Sequence, residues 1–258
     1  MNYKDRIKKN FLKKGYFIFK IKKKNNLLKI RKYIQNLIKK KNIGSNLNKT
    51  HNFLDNKELN SLRMKVHSEM NLTNWFSKTY YQLASDEIRE ICGEDLVMQK
   101  KVNLSIQFPL DDSSILPLHS DVWTGCSPFE FVLWIPLVNV YKTKSMYILD
   151  AKVNEKIYKN YNKFKSIGEI EKKVMKNCKW LNLKFGYGLI FNQQLLHGNT
   201  INKTKETRWS LNCRFKSTFT PYAIKDIGET FIPISTTPLT ELGLNYKDPN
   251  YEKKKFRS

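Results

Sequence analysis

The sequence predicts an α+β fold in which a double-stranded β-helix, or jelly roll, follows a mainly helical N-terminal region. Apolar residues recur at helical spacing over residues 1–95, whereas short strand-like segments follow one another over residues 97–220. Helices gathered before a series of strands are typical of α+β proteins rather than of alternating parallel folds. No linker interrupts the 258 residues, so we expect one domain, residues 1–258.

The helical region contains three predicted helices and one early strand. The segment GYFIFKI, residues 15–21, has the β-branched and aromatic content of a strand. Apolar residues at helical spacing then lie in a lysine-rich stretch between Leu27 and Ile38, which predicts an amphipathic helix. We expect further helices over residues 56–69 and 75–92.

The later strands are predicted from alternation and from runs of large apolar residues. The segment KVNLSIQF alternates strictly, and FEFVLWIPLV, SMYIL and RWSLNCRFKSTF are strand-like. Residues 150–178 are polar and predict a helical insertion. In KWLNLKFGYGLIF, a turn at Gly186 and Gly188 is expected to separate two short strands. The proline-containing tail, residues 221–258, predicts irregular structure, with disorder in the final KKKFRS.

The net charge of +24 first suggests a nucleic-acid or anionic-membrane partner. However, lysine and asparagine are abundant everywhere and arginine is scarce, which indicates compositional bias and argues against nucleic acid. The four cysteines form no CxxC pair, as expected of reduced thiols. The apolar run at residues 131–138 is too short to span a bilayer, and no signal peptide is recognisable, so we expect a cytoplasmic protein. The oligomeric state stays open.

Three residues predict a metal site. In the extended segment containing His119-Ser120-Asp121, the first and third side chains project to the same side. His197 follows the strand-like GLIF and can reach the same ion. Two histidines and one carboxylate leave several metal positions open, which is the signature of non-haem iron(II) oxygenases.

A polar row follows on one face of the last strand. Arg208, Ser210, Asn212 and Arg214 alternate with apolar residues, and a polar row in a core-like strand needs partners or a ligand cavity. An arginine binds a carboxylate through two parallel hydrogen bonds, and the serine two residues on can add a hydroxyl. Arg208 is the predicted anion anchor, with Arg214 as the alternative. Gln107 is the outer-sphere candidate on a neighbouring strand.

Together HSD, HGN and RWS resemble the His-x-Asp…His…Arg-x-Ser pattern of the 2-oxoglutarate/Fe(II)-dependent dioxygenases. Over about residues 100–220, the sequence resembles the phytanoyl-CoA-dioxygenase-like branch, and within it oxygenases of bacterial carbohydrate-biosynthesis clusters. The resemblance implies that His119, Asp121 and His197 bind Fe(II). It also implies that Arg208 binds the distal carboxylate of 2-oxoglutarate, and that O2 is the second co-substrate.

The resemblance further implies hydroxylation of a sugar, a nucleotide sugar or a glycan intermediate. Related halogenases have a small residue in place of Asp121, so the carboxylate here favours oxidation over halogenation. From position alone, Ser210, Gln107 and Asn212 are assigned to co-substrate binding, and Trp123, Trp134, Asn192 and Arg214 to substrate binding. Two alternatives stay open: a zinc hydrolase that uses the same three ligands, and a non-catalytic jelly-roll binding protein.

Overall fold

A computed structural model describes residues 2–39, 43–176 and 178–247. Within these ranges the helices are α1 (Tyr3–Lys14), α2 (Lys24–Lys39), α3 (Asn56–Asn71), α4 (Phe76–Gln82), α5 (Ser85–Cys92), α6 (Ala151–Lys159), α7 (Ile167–Met175) and α8 (Pro238–Asn245). The strands are β1 (Tyr16–Lys20), β2 (Leu96–Gln99), β3 (Asn103–Gln107), β4 (Phe131–Pro136), β5 (Tyr147–Ile148), β6 (Tyr187–Asn192), β7 (His197–Gly198), β8 (Arg208–Ser217) and β9 (Phe231–Ser235). Helices do gather before most strands, as predicted.

The N-terminal helices pack their apolar faces against the sheet. In α2 the buried residues are Leu27, Ile30, Ile34 and Ile38, at the spacing the sequence indicates. A capping box between Asp55 and Glu58 starts α3. The single helix expected over residues 75–92 is wrong: the chain turns at Leu83 and Ala84, and two helices form. Among the described residues, no helix is long and apolar enough to cross a membrane.

A seven-stranded antiparallel sheet forms the larger wall of the molecule. Its strands follow the order β1-β6-β4-β8-β2-β9, and β3 also pairs with β8. Strand β8 is central because β4 runs along one edge, while β3 and β2 share the other edge. The apolar face of β8, which includes Trp209, Leu211 and Phe215, is fully buried in the core. The polar residues that alternate with these apolar residues along β8 therefore lie on the opposite face of the sheet.

The smaller wall is short and contains the histidines. Strands β5 and β7 form a two-stranded sheet, in which Ile148 lies opposite His197. His119 extends this wall through an isolated antiparallel bridge to His197, with its N–H 3.0 Å from the His197 carbonyl oxygen. The two walls face each other across a cavity that residues of β4, β6, β7 and β8 line.

Two expectations about strands and tail need correction. The segment before Gly186 does not form a strand, because Trp180 and Leu183 make only isolated bridges, whereas Gly188 lies within β6. The tail is not irregular over residues 231–245: β9 adds to the sheet beside β2, and α8 begins at Pro238 after the Thr237 cap. Burial of Phe231 holds β9 in place. The predicted disorder of KKKFRS lies outside the described residues.

Candidate active site

The structure brings His119, Asp121 and His197 together. One potential ligand atom from each lies within 4.8 Å of the others. His119 Nε2 is 3.8 Å from Asp121 Oδ1, so both atoms can reach one ion. Asp121 begins a short 3-10 helix, and its backbone N–H donates to the Gln193 carbonyl oxygen at 3.2 Å. The two ligand segments, 119–121 and 193–197, are therefore joined to each other at both ends.

Backbone carbonyls orient both imidazole rings. His119 Nδ1 lies 2.7 Å from the Pro117 oxygen, and His197 Nδ1 lies 2.8 Å from the Leu195 oxygen. A carbonyl oxygen only accepts, so each Nδ1 carries the proton and each Nε2 keeps its lone pair. Metal-binding histidines are commonly held in this way by an acceptor on the far nitrogen. The donor set thus fits a transition metal that accepts nitrogen and oxygen ligands.

The electrostatics of the site also favour metal ligation. Burial, together with the neighbouring His119, lowers the pKa of His197. His197 is therefore a neutral ligand at physiological pH. Arg214 donates to Asp121 Oδ1 at 3.2 Å, and this pairing orients the carboxylate. Arg214 also reaches Gln99 Oε1 at 3.3 Å. Arg214, the alternative anion anchor expected from the sequence, is thus already paired with the candidate metal ligand Asp121.

The cavity beside the three ligands has a volume of about 110 Å³. The residues that line it are Ser105, Leu116, His119, Asp121, Val132, Trp134, Met146, Phe191, His197, Gly198, Asn199, Arg208, Ser210, Asn212 and Arg214. Among these described residues, Asp121 supplies the only carboxylate. The cavity wall is apolar where Val132, Met146 and Phe191 line it, and the polar row of β8 crosses this wall.

Arg208 is a buried cation without a carboxylate partner in the described chain. Only 4% of its surface is exposed, and burial lowers its pKa to about 10, so the side chain is still charged at neutral pH. Its guanidinium donates to Ser105 Oγ at 3.0 Å and to the Ser145 oxygen at 3.4 Å, while Nε has no partner. A buried charge is costly unless an opposite charge approaches it. The cavity gives such an anion access.

Strand register determines which residues of β3 lie beside the other members of the polar row. Ser105 lies opposite Ser210 on the paired strands, and Asn103 lies opposite Asn212. Asn103 donates to the Asn212 side-chain oxygen at 3.1 Å. The Ser210 hydroxyl is fully buried and has no hydrogen-bond partner in the described structure. A buried unsatisfied hydroxyl beside Arg208 is a second group suited to an anionic ligand.

Three residues assigned to the site from the sequence are not on the cavity wall. Gln107 lies opposite Arg208 in register, but its side chain donates to the Thr200 oxygen at 2.8 Å and does not line the cavity. Asn192 accepts the Gln194 N–H at 2.7 Å and so forms a turn. Trp123 is 37% exposed and packs edge-on against Tyr158 and Tyr161 outside the cavity. By contrast, Trp134 and Arg214 line the cavity.

No sequence pattern indicates the contacts that the helical insertion makes. Asn154 of α6 accepts the Leu196 N–H at 2.8 Å and donates to the Gln194 oxygen at 3.0 Å. Glu171 of α7 accepts the Leu118 N–H at 3.2 Å and the Tyr147 hydroxyl at 2.9 Å. Leu118 precedes His119 and Leu196 precedes His197. The insertion therefore contacts the backbone beside both histidines.

Gly198 shows how closely these segments approach. A Cβ atom at this position would lie 2.6 Å from the Tyr147 hydroxyl and 2.9 Å from the Leu116 carbonyl oxygen. Only glycine leaves room for this approach. The glycine of the HGN motif therefore permits the packing that places His197.

No protein-family model matches the sequence, and no curated protein matches it. Solved structures nevertheless share its fold. The non-haem monooxygenase ThoJ, in a nickel complex, is 15% identical with a TM-score of 0.58, over 90% of this chain and 84% of that chain. EctD from S. alaskensis with bound Fe is 14% identical with a TM-score of 0.53, over 84% of this chain and 77% of that one.

A third structure is the epimerase SnoN in complex with Fe3+, alpha ketoglutarate and nogalamycin RO. It is 13% identical with a TM-score of 0.51, over 85% of each chain. At these identities the likeness concerns the fold. The predicted α+β class is confirmed, and the chain has the jelly-roll fold that these non-haem iron proteins share.

Proposed function

We propose that the chain is an Fe(II)- and 2-oxoglutarate-dependent oxygenase. The observation that carries the proposal is the presence, in one cavity, of an open two-histidine, one-carboxylate set and a buried arginine that has no carboxylate partner among the described residues. The first is the ligand set of non-haem iron(II) oxygenases, and the second needs an anion. The fold shared with iron-containing proteins supports the same conclusion.

Iron and 2-oxoglutarate bound at this site would supply the activation of O2 for oxidation of a substrate C–H bond, with the co-substrate leaving as succinate and CO2. The chain's own residues position and shield this chemistry. His119, His197 and Asp121 would hold the metal, and Arg214 orients the Asp121 carboxylate through its contact with Oδ1. Arg208, with Ser210, receives the distal carboxylate. The apolar side chains of the cavity wall exclude bulk water from the reacting groups.

The described residues of the cavity wall include no second acid, and this distinguishes the proposal from a zinc hydrolase. A hydrolase needs a general base beside the metal-bound water. Among the described residues of the wall, Asp121 is the only carboxylate, and it is paired with Arg214. Arg208 also has no role in such a hydrolase. A non-catalytic binding protein, in turn, has no need for two histidines that are held by backbone carbonyls within 4.8 Å of each other and of one carboxylate.

The finer parts of the proposal rest on sequence. We place the chain in the phytanoyl-CoA-dioxygenase-like branch as a single-domain cytoplasmic enzyme that hydroxylates a sugar, a nucleotide sugar or a glycan intermediate. The support is the resemblance over residues 100–220. Trp134 is the cavity residue among the four assigned to substrate that can offer an apolar face, while Arg214 is engaged with Asp121.

Anaerobic titration with Fe(II) and 2-oxoglutarate tests the central claim. The wild-type protein should develop the metal-to-ligand charge-transfer band of a chelated 2-oxo acid. His119→Ala and His197→Ala should lose the band and the formation of succinate in air, because each removes one of three metal ligands. His67→Ala is the matched control, since His67 lies on α3, away from the cavity wall.

If the protein instead hydrolysed its substrate with Zn2+ as the metal and without O2, it would be the zinc hydrolase. Retention of the band in His119→Ala would contradict the ligand assignment. If Fe(II) and 2-oxoglutarate leave the wild-type spectrum unchanged, the proposed function is wrong.

A further inference from the structure

A second, larger cavity lies between the helical insertion and the outer end of the sheet. Its volume is about 1170 Å³, against roughly 300–1,000 Å³ for typical small-molecule sites. Among the described residues, it shares no lining residue with the cavity beside His119, Asp121 and His197, which we call the metal cavity. The two cavities are neighbours, since Met146 lines the first and Ile148 and Leu149, two and three residues later, line the second.

The interior surface of this cavity is mainly apolar. Its apolar lining includes Ile18, Ile148, Val153, Phe164, Val174 and Trp180. Ile18 of β1 and Val153 of α6 are 38% and 47% exposed, although both belong to regular elements that pack against the core. Large apolar side chains left open around one concavity mark a binding surface.

Cations surround this apolar surface. Lys156, Lys163, Lys173 and Lys179 line the cavity, and none of them forms a salt bridge within the described chain. Two acids also line it, but each is engaged: Asp150 lies against the Tyr16 hydroxyl, and Glu169 accepts the Lys165 N–H at 2.8 Å. Four lysines against two carboxylates leave the lining with a formal net charge of +2 around an apolar interior.

We propose that this cavity binds a single-chain amphiphile with an anionic head group, its apolar chain against Ile148 and Val174 and its head group among the lysines. Burial of a hydrocarbon chain supplies the affinity, since each methylene removed from water is favourable. Unpaired lysines orient the head group and select an anion over a neutral molecule. A sugar phosphate is a poor match, because it offers little apolar surface to this interior.

Dodecanoate, below its micellar concentration, is the probe, and calorimetry or displacement of a fluorescent fatty acid is the measurement. Lys173→Glu/Lys179→Glu should weaken binding by about tenfold or more, because charge-assisted contacts to the head group become repulsive. Lys172→Glu/Lys176→Glu carries the same change of charge on neighbouring exposed positions that do not line the cavity. This control should bind dodecanoate like wild type.

Dodecanol should bind more weakly than dodecanoate to the wild-type protein, and Val153→Trp should weaken both by filling the interior. Equal loss in the two double variants would overturn the proposal, because it would indicate general charge attraction. Binding that disappears in Arg208→Ala but survives in Lys173→Glu/Lys179→Glu would assign the ligand to the metal cavity instead. Neither result depends on iron or on 2-oxoglutarate, so the proposed function is tested separately.

Discussion

Two arginines face the metal cavity, and their surroundings differ. Arg214 contacts Asp121, whereas Arg208 is buried without a carboxylate partner in the described chain. We therefore expect Arg208→Ala to weaken 2-oxoglutarate binding about tenfold to a hundredfold while Fe(II) affinity stays close to wild type. Arg208→Lys should recover only part of the loss, because lysine keeps the charge but not the two-pronged geometry.

Replacement of Arg214 should affect the two affinities in the opposite order. Arg214→Ala leaves Asp121 without its partner, so Fe(II) affinity should fall more than 2-oxoglutarate affinity. Equilibrium titration of each ligand, with the charge-transfer band as readout, gives both constants. If Arg214→Ala weakens 2-oxoglutarate and Arg208→Ala does not, Arg214 is the anchor and the assignment is reversed.

At the scale of elements, the helical insertion should determine how well the histidines are positioned. Asn154 and Glu171 hydrogen-bond the backbone immediately before His197 and His119. Outer contacts of this kind typically contribute about tenfold or more to metal affinity. Asn154→Ala and Glu171→Gln should therefore weaken Fe(II) binding by about tenfold. The measurement is anaerobic Fe(II) titration, beside thermal unfolding of each variant.

Glu155→Gln is the matched control, because Glu155 also lies on α6 but makes only an exposed ion pair with Lys159. A structural role alone would lower thermal stability without changing the Fe(II) constant of the folded protein. Unchanged Fe(II) affinity in both Asn154→Ala and Glu171→Gln would therefore exclude positioning by the insertion.

Elements with strong local patterns were predictable, and those defined by distant contacts were not. The spacing of Leu27 to Ile38 indicates α2, and the alternation around Ser105 indicates β3. Strand β9 contains Pro233, and it persists because β2 offers an edge and Phe231 is buried. Such pairing joins residues far apart in sequence, which no local pattern records.

For the molecule as a whole, the site residues too divide into those that a local pattern predicts and those whose position depends on distant contacts. The motifs predicted His119, Asp121, His197 and Arg208, which line one cavity, because spacing within a strand fixes which side chains share a face. Trp123 was placed in the site by its closeness to Asp121 in sequence, yet the 3-10 helix turns it outward. Its position depends on packing against the insertion, and the sequence does not specify that packing.

The buried His197 gives the metal-free protein a predictable response to acid. Because its pKa is lowered in the folded state, the unfolded chain binds a proton first as the pH falls below about 6.5. The free energy of unfolding should therefore decrease from that pH downwards, until the pH passes below the lowered pKa. The expected loss is about 1–3 kcal/mol.

Urea unfolding of metal-free wild type and His197→Gln between pH 7.5 and pH 4.5 measures this contribution. Glutamine does not titrate, so the difference in unfolding free energy between the two proteins should change with pH. His51 and His67, whose pKa values burial also lowers, affect both proteins equally and cancel in the difference. Bound Fe(II) should lessen the loss, because ligation competes with the proton for Nε2. Parallel curves for the two proteins would show that His197 titrates normally, and that the small wall around it admits water.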